Sequence, residues 1–323
     1  EAGVQAGGAR TIGRLWRRAI SSQRTNPAYL VEGPDGWSEV SWEEAGRAVD
    51  ELANGLLSLG VRKGDAFGIL AQSTPEWALF DYALGLIGAV GAAIYANSSP
   101  SDSLYVLEHS DAVGVLVEDD DQRAKIAGAN LAHVISFAAL DDLRARGREF
   151  SAEHPHALAE AEAAVGEDDL FTFIYTSGTT GPPKACMIRH RNYHEMAACT
   201  DRVPEFAIAD DLMLIYLPLA HNFGRLMHLL GAHTGYTIAF CPDPMRLAEV
   251  LPQVRPTILP SVPRVYEKVH TALLAQFAET SGVKRRILDF ALHTGRRVSK
   301  LREQGRPIPR ALALQHRFAD RLV

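Results

Sequence analysis

The sequence predicts an α/β fold of mainly parallel sheets flanked by helices, organised as two α/β subdomains, residues 1–166 and 167–323. Three observations carry this expectation. Short apolar strands alternate with amphipathic helices through the first half, a pattern that gives parallel sheets covered on both faces. An alanine- and glutamate-rich stretch, Ala152 to Gly166, interrupts the alternation before it restarts at Leu170. With 47% hydrophobic and 22% charged residues over 323 positions, the chain has enough apolar surface for a large core.

The elements follow in order. Ala28 to Glu32 reads as a strand, Pro34-Asp35-Gly36 as a turn and Trp37 to Val40 as the returning arm of a hairpin. Ser41 caps a helix, with Glu44 completing a capping box. Ala45, Val49, Leu52 and Leu56 supply its buried stripe, and Gly60 ends it. Ala66 to Ala71 is a strand, and Ser73 or Thr74 caps a helix with Pro75 at its first position. Tyr82 to Ser101 carries no charge, yet Gly85, Gly88 and Gly91 interrupt it. It reads as a buried helix running into a buried strand, Ala92 to Tyr95, rather than as a membrane span. A helix over Ser101 to Ser110 and strands at Val113–Val117 and His133–Phe137 follow. The acidic run Glu118 to Asp121 reads as a solvated turn, because adjacent carboxylates without converging partners make no metal cage. Leu170 to Tyr175 is a strand. A long helix starts near Ser281, with Val283, Ile287, Phe290 and Leu301 as its apolar stripe, and stops at Gly305.

The net charge of −6 argues against a nucleic-acid binder. It is unevenly spread: residues 281–323 hold eleven Lys/Arg against three Asp/Glu. Such a tail suits a peripheral contact with anionic membrane lipid or a phosphate-bearing partner, and equally a solvated helix paired elsewhere. Cys186, Cys199 and Cys241 lack a C-x-x-C spacing, and Glu1 to Arg10 does not read as a signal peptide, so a reducing, cytoplasmic setting is expected. The chain does not open on Met, as expected of a trimmed sequence.

The segment richest in chemistry runs from Phe171 to Lys184. A buried strand empties into Thr176-Ser177-Gly178-Thr179-Thr180-Gly181-Pro182-Pro183-Lys184. Gly178 and Gly181 let backbone N–H groups approach an anion closely. The hydroxyls of Thr176, Ser177, Thr179 and Thr180 add neutral donors, and Lys184 adds a point charge for outer phosphates. Two prolines before Lys184 and Ala185-Cys186 after it exclude a Walker A loop. A Gly/Thr-rich surface turn without function is the plain alternative.

Tyr175 to Lys184 resembles the signature loop of the adenylate-forming (AMP-binding) superfamily. Leu217-Pro218-Leu219-Ala220-His221-Asn222-Phe223-Gly224-Arg225 and Val262-Pro263-Arg264-Val265-Tyr266-Glu267-Lys268-Val269 resemble the long-chain fatty-acid–CoA ligases in particular. The likeness runs from about Thr11 to the last residue, with Ala185 a departure where glycine commonly follows the lysine. It implies the N-terminal portion of such a ligase, which joins a fatty acid to AMP with ATP and Mg²⁺ and then transfers the acyl group to CoA. It also implies that Thr176, Ser177, Gly178, Thr179, Thr180, Gly181 and Lys184 hold the β- and γ-phosphates, with Thr176 a Mg²⁺ ligand.

His221 falls beside the acyl-adenylate in relatives and is the candidate catalytic residue, although a core histidine satisfied by a backbone carbonyl fits the sequence as well. Phe223, Met227 and the strand Thr237–Phe240 are candidate walls of an acyl pocket. Arg264 and Glu267 read as family markers or as an internal ion pair. His190 and His194 with Glu195 do not make a zinc motif. Relatives continue with adenine, Mg²⁺ and ribose contacts and a mobile domain bearing the adenylating lysine. None of those patterns occurs after Val269, so these residues alone are expected not to turn over. A fatty acyl-AMP ligase that loads a carrier protein, and a non-catalytic nucleotide- or lipid-binding module, are the alternatives.

Overall fold

The computed structural model describes residues 10–176, 182–203 and 206–322. Helix α1 (Ile12–Ser21) opens on Thr11, whose hydroxyl accepts from the Arg14 N–H. Strands β1 (Tyr29–Gly33) and β2 (Gly36–Val40) form the expected hairpin, with Gly36 at φ +113° where a side chain would be strained. Ser41 caps α2 (Trp42–Ser58) reciprocally. Its hydroxyl accepts from the Glu44 N–H at 3.1 Å, and its N–H donates to the Glu44 carboxylate at 2.9 Å.

The chargeless stretch resolves as expected. β3 (Ala66–Ala71) is followed by α3 (Pro75–Ile87), which Thr74 caps, and then by β4 (Val90–Tyr95). Among the described residues no helix is long and apolar enough to cross a membrane. α4 (Pro100–His109), β5 (Ala112–Val117), α5 (Asp120–Lys125) and β6 (His133–Ser136) come next. The acidic run has local partners: Asp119 caps α5 by accepting from the Gln122 N–H at 2.8 Å, and Glu118 accepts from the Gln72 N–H at 2.7 Å. The alanine- and glutamate-rich stretch forms the end of α6 (Leu140–Glu153) and then α7 (Ala157–Ala163). Arg17 ties α7 to α1 and α2 through Glu162 at 2.9 Å and Asp50 at 2.7 Å.

The chain continues through β7 (Leu170–Thr176), β8 (Lys184–Arg189), α8 (His190–Thr200), β9 (Leu212–Ile215), α9 (Asn222–Thr234), β10 (Thr237–Phe240) and α10 (Leu247–Val254). Among the described residues the strands form two sheets. One runs β6-β5-β3-β4-β7-β8, parallel except for the β7–β8 pair, and the other runs β2-β1-β10-β9. Each sheet draws strands from both sides of residue 166: β7 lies beside β4, and β1 lies beside β10. The division expected there in sequence order therefore does not coincide with the division into sheets. β7 has its own parallel partner in β4, and this pairing outweighs the compositional break.

α3 packs on β3 and β4, α9 packs on β9 and β10, and the two helices meet in one core with Trp77, Tyr82, Met213 and Ile238. Trp16 of α1 stacks on Tyr82, their ring centroids 4.1 Å apart. The Tyr29 hydroxyl lies 3.0 Å from His228 Nε2. At the centre sits an ion pair: Arg225 of α9 and Asp81 of α3 are both 0% exposed and bonded through two nitrogens. The Arg225 guanidinium also donates to the Thr172 hydroxyl on β7 and lies 4.7 Å from the Phe171 ring and 5.1 Å from that of Trp77. Thr172 passes its own proton to the Gly91 carbonyl on β4 at 2.6 Å. A Cβ at Gly91 would stand 2.9 Å from Arg225 Nη2, so glycine here makes room for the cation. Burial pushes the Asp81 carboxyl up, against the pull of Arg225.

Residues 261–323 form a second compact unit, made of α11 (Pro263–Glu279), α12 (Gly282–Glu303) and α13 (Arg310–Ala319). Of the stripe expected on α12, Ile287 and Leu301 are half-buried, whereas Val283 and Phe290 are exposed; Leu288, Thr294 and Val298 are buried.

Removing one partner of a buried pair strands the other charge, which costs about 3–5 kcal/mol, whereas an apolar replacement of both is close to neutral. Arg225→Met is therefore expected to lower the unfolding free energy by about that amount in urea titrations. Adding Asp81→Leu should recover most of the loss. Equal stability of the single and double variants would rule out this account of the pair.

Candidate functional site

β7 is buried at Phe171, Thr172, Ile174 and Tyr175 and emerges at an exposed Thr176. The antiparallel ladder pairs Thr176 with Lys184, Tyr175 with Ala185 and Ile174 with Cys186. The first hydroxyl and the terminal ammonium of the sequence motif thus stand side by side on paired strands, both exposed. Ser177, Gly178, Thr179, Thr180 and Gly181 lie outside the described residues. Lys184 opens a strand rather than a helix, a backbone unlike that of a Walker A loop. The departure at Ala185 is accommodated within the ladder, where its methyl is half-buried opposite Tyr175.

α4 braces the ends of both strands. The Tyr105 hydroxyl donates to the Pro183 carbonyl at 3.0 Å, and His109 Nδ1 lies 3.0 Å from the Tyr175 hydroxyl. The Tyr105 and His109 rings stack with centroids 5.2 Å apart. Burial, together with the neighbouring Tyr105, pushes the Tyr175 phenol up to about 12, so it stays a neutral donor. Tyr105 and His109 were not singled out from the sequence, although their spacing along the α4 helix could have marked them as one face.

The second motif forms a turn ahead of α9. Leu217, Leu219 and Ala220 are buried, and Ser73 at the end of β3 holds them. Its hydroxyl donates to the Leu217 carbonyl at 3.1 Å and accepts from the Leu219 N–H at 2.8 Å. A Cβ at Gly224 would lie 2.5 Å from the Pro218 carbonyl oxygen, so the turn requires glycine. His221 caps α9: its Nδ1 accepts from the Phe223 N–H at 3.2 Å, which leaves the proton on Nε2. It is exposed, not a core histidine. Asn222 accepts from the Tyr193 hydroxyl of α8 at 2.8 Å.

Beyond His221, Phe223, Leu226, Met227 and Leu230 line an almost wholly apolar groove of about 380 Å³, closed by Met196 and Val203 and by Ile258 to Pro260. Phe223 and Met227, two of the residues expected to wall an acyl pocket, both line this groove. The strand Thr237–Phe240 is not: it is β10, buried between β1 and β9. Arg264 and Glu267 are exposed on α11, and among the described residues they form no ion pair. On α8, Glu195 pairs with Arg10, and His190 Nδ1 accepts from the Ile12 N–H at 3.2 Å, so these side chains secure α1.

The chain belongs to the AMP-binding enzyme family, whose pattern it matches over residues 16–322. It is 34% identical over 315 residues to the long-chain-fatty-acid–CoA ligase FadD15 of Mycobacterium bovis, an alignment covering 93% of this chain and 52% of that protein. Fatty acyl-CoA synthetase A of Dictyostelium discoideum is 30% identical over 82% of this chain and 42% of its own length. The chain therefore spans about half the length of these relatives. Among solved structures, the N-terminal domain of FACL13 from Mycobacterium tuberculosis superposes with a TM-score of 0.66 at 23% identity, covering 79% of this chain and 63% of that one. VinN superposes at 0.68 with 20% identity, over 84% and 66%. Both share the fold, the N-terminal α/β architecture of adenylate-forming enzymes.

Two buried histidines make stability depend on pH. Desolvation lowers His190 from 6.5 to about 4 and His228 from 6.5 to about 3. Below pH 6.5 the unfolded chain takes up protons that the folded chain refuses, so stability falls as pH falls. Each histidine is expected to cost about 2 kcal/mol between neutral pH and about pH 5. Urea titrations across that range should show the slope roughly halved in His190→Asn, whose amide oxygen can still accept from Ile12. An unchanged slope would contradict the assignment.

Proposed function

We propose that this chain is the ATP- and acyl-binding portion of a long-chain fatty-acid–CoA ligase. In this reading the enzyme activates a fatty acid as its acyl-adenylate before passing it to CoA. The observation that carries the proposal is the β7–β8 pairing that sets Thr176 and Lys184 side by side at the two ends of the Ser/Thr/Gly segment. In the reaction, a carboxylate attacks the α-phosphorus of ATP, forming the acyl–phosphate bond and releasing pyrophosphate. The sulfur of CoA then attacks the acyl carbon and displaces AMP. Transfer of this kind depends mainly on positioning and on donors around the charged oxygens.

Lys184 supplies a cation to the leaving pyrophosphate, and the hydroxyls from Thr176 to Thr180 donate to its oxygens. Thr176, exposed at the strand end, is the side chain suited to bind Mg²⁺, which neutralises charge on the phosphates when bound. His221, with Nδ1 engaged by Phe223, presents Nε2–H as a donor toward the reacting carboxylate. The groove along α9 receives the alkyl chain, its volume and apolar walls matching a hydrocarbon rather than a polar acid. The relatives' names favour CoA over a carrier protein as acceptor. A cytoplasmic setting, with the active site facing soluble ATP and CoA, completes the reading.

Lys184→Ala removes one charge-assisted contact at an exposed strand end. Calorimetric titration with Mg·ATP should show affinity reduced about 10- to 100-fold, with the melting temperature unchanged. An affinity equal to that of the parent chain would remove the phosphate role of Lys184.

A further inference from the structure

Tyr105 and His109 stand one helical turn apart on α4, beside the paired ends of β7 and β8. Tyr105 is half-buried against a cluster that includes Leu70, Ile94, Val106 and Tyr175. Its ring is held from two directions. It stacks on His109, and it meets the Tyr175 ring edge-on with centroids 6.3 Å apart. His109 is fixed in turn by the Tyr175 hydroxyl, 3.0 Å from its Nδ1. A phenol confined in this way keeps its hydroxyl aimed, and the target is the Pro183 carbonyl at 3.0 Å. Pro182 and Pro183 have no N–H to give the β7–β8 ladder, whose outermost pair among the described residues is Thr176 with Lys184. The Pro183 carbonyl belongs to the same planar peptide unit as the Lys184 nitrogen, so fixing that oxygen fixes the plane from which Lys184 departs.

We propose that Tyr105 is a positioning residue for the phosphates of a bound nucleotide, acting through the Pro183–Lys184 peptide to keep the Lys184 ammonium beside the Thr176 hydroxyl. A lysine side chain is a flexible stem, so aiming its charge costs less when the backbone at its root is already fixed. The tyrosine supplies that fixed root from a separate, rigid helix, and it belongs to none of the three sequence motifs. Its role rests on the reading of Thr176 and Lys184 as a polyphosphate site, and extends that site to α4.

The test is a double-mutant cycle read by calorimetric titration of the whole chain with Mg·ATP. Tyr105→Phe keeps the ring and its two ring contacts and removes only the hydroxyl. It should lower affinity about fivefold, with the melting temperature unchanged. Placed in Lys184→Ala, the same change should lower affinity no further, because the hydroxyl then has no ammonium to aim. Equal factors in the two backgrounds would overturn the proposal, since a merely structural tyrosine acts regardless of Lys184. Full affinity in Tyr105→Phe, with Lys184→Ala still weakened, would overturn it too and leave the phosphate role of Lys184 standing. If Lys184→Ala binds as tightly as the parent chain, or the parent does not bind Mg·ATP, the reading of the site fails and the role of Tyr105 with it.

Discussion

A guanidinium with no access to water must find its partners inside the fold, and Arg225 finds them on two elements directly and on a third through Thr172. It reaches from α9 to Asp81 on α3 and Thr172 on β7, and Thr172 extends the contact to Gly91 on β4. A buried pair of this kind adds little net stability, since desolvation offsets most of the attraction. Its consequence is geometric: any shift of α9 against the six-stranded sheet leaves a charge unpaired. His221 lies one turn before Arg225, and Thr176 ends the strand that carries Thr172. The same contact therefore fixes the positions of both halves of the candidate site.

Shorter-range contacts refine those positions. Ser73 holds the turn before α9 by donating to Leu217 and accepting from Leu219, and Gly224 lets α9 begin against Pro218 without a clash. On the other side, Tyr105 holds the Pro183 carbonyl where the chain re-enters the sheet. Each contact joins a loop to a rigid element, the usual condition for holding reacting groups in place. The apolar groove then follows from the side chains that α9 leaves facing α8 and the segment after α10.

Local signals in the sequence were enough for most of the elements. The Ser41–Glu44 box, Thr74-Pro75 and the strand Ala66–Ala71 depend on neighbours in the chain, and their elements form where the pattern indicates. The two motifs at Thr176–Lys184 and Leu217–Arg225 were legible because their residue types are unusual for ordinary turns. Long-range pairing was not. Nothing in the local pattern says that β1 joins β10, or that β7 joins β4 across the break near residue 166. Thr237–Phe240 illustrates the limit: four apolar residues fit a pocket wall as well as a buried strand, and only their place between β1 and β9 decides. On α12 the basic residues spread around the helix blur its period: Ile287 and Leu301 fall on the partly buried face, whereas Val283 and Phe290 do not.

The account turns on where a triphosphate is held. A crystal of this chain grown with a non-hydrolysable ATP analogue and Mg²⁺ measures that directly. Density for the β- and γ-phosphates should lie between the Thr176 hydroxyl and the Lys184 ammonium, with α4 and the β7–β8 ladder unmoved. Phosphates bound elsewhere on the chain, with Thr176 and Lys184 free of them, would contradict it.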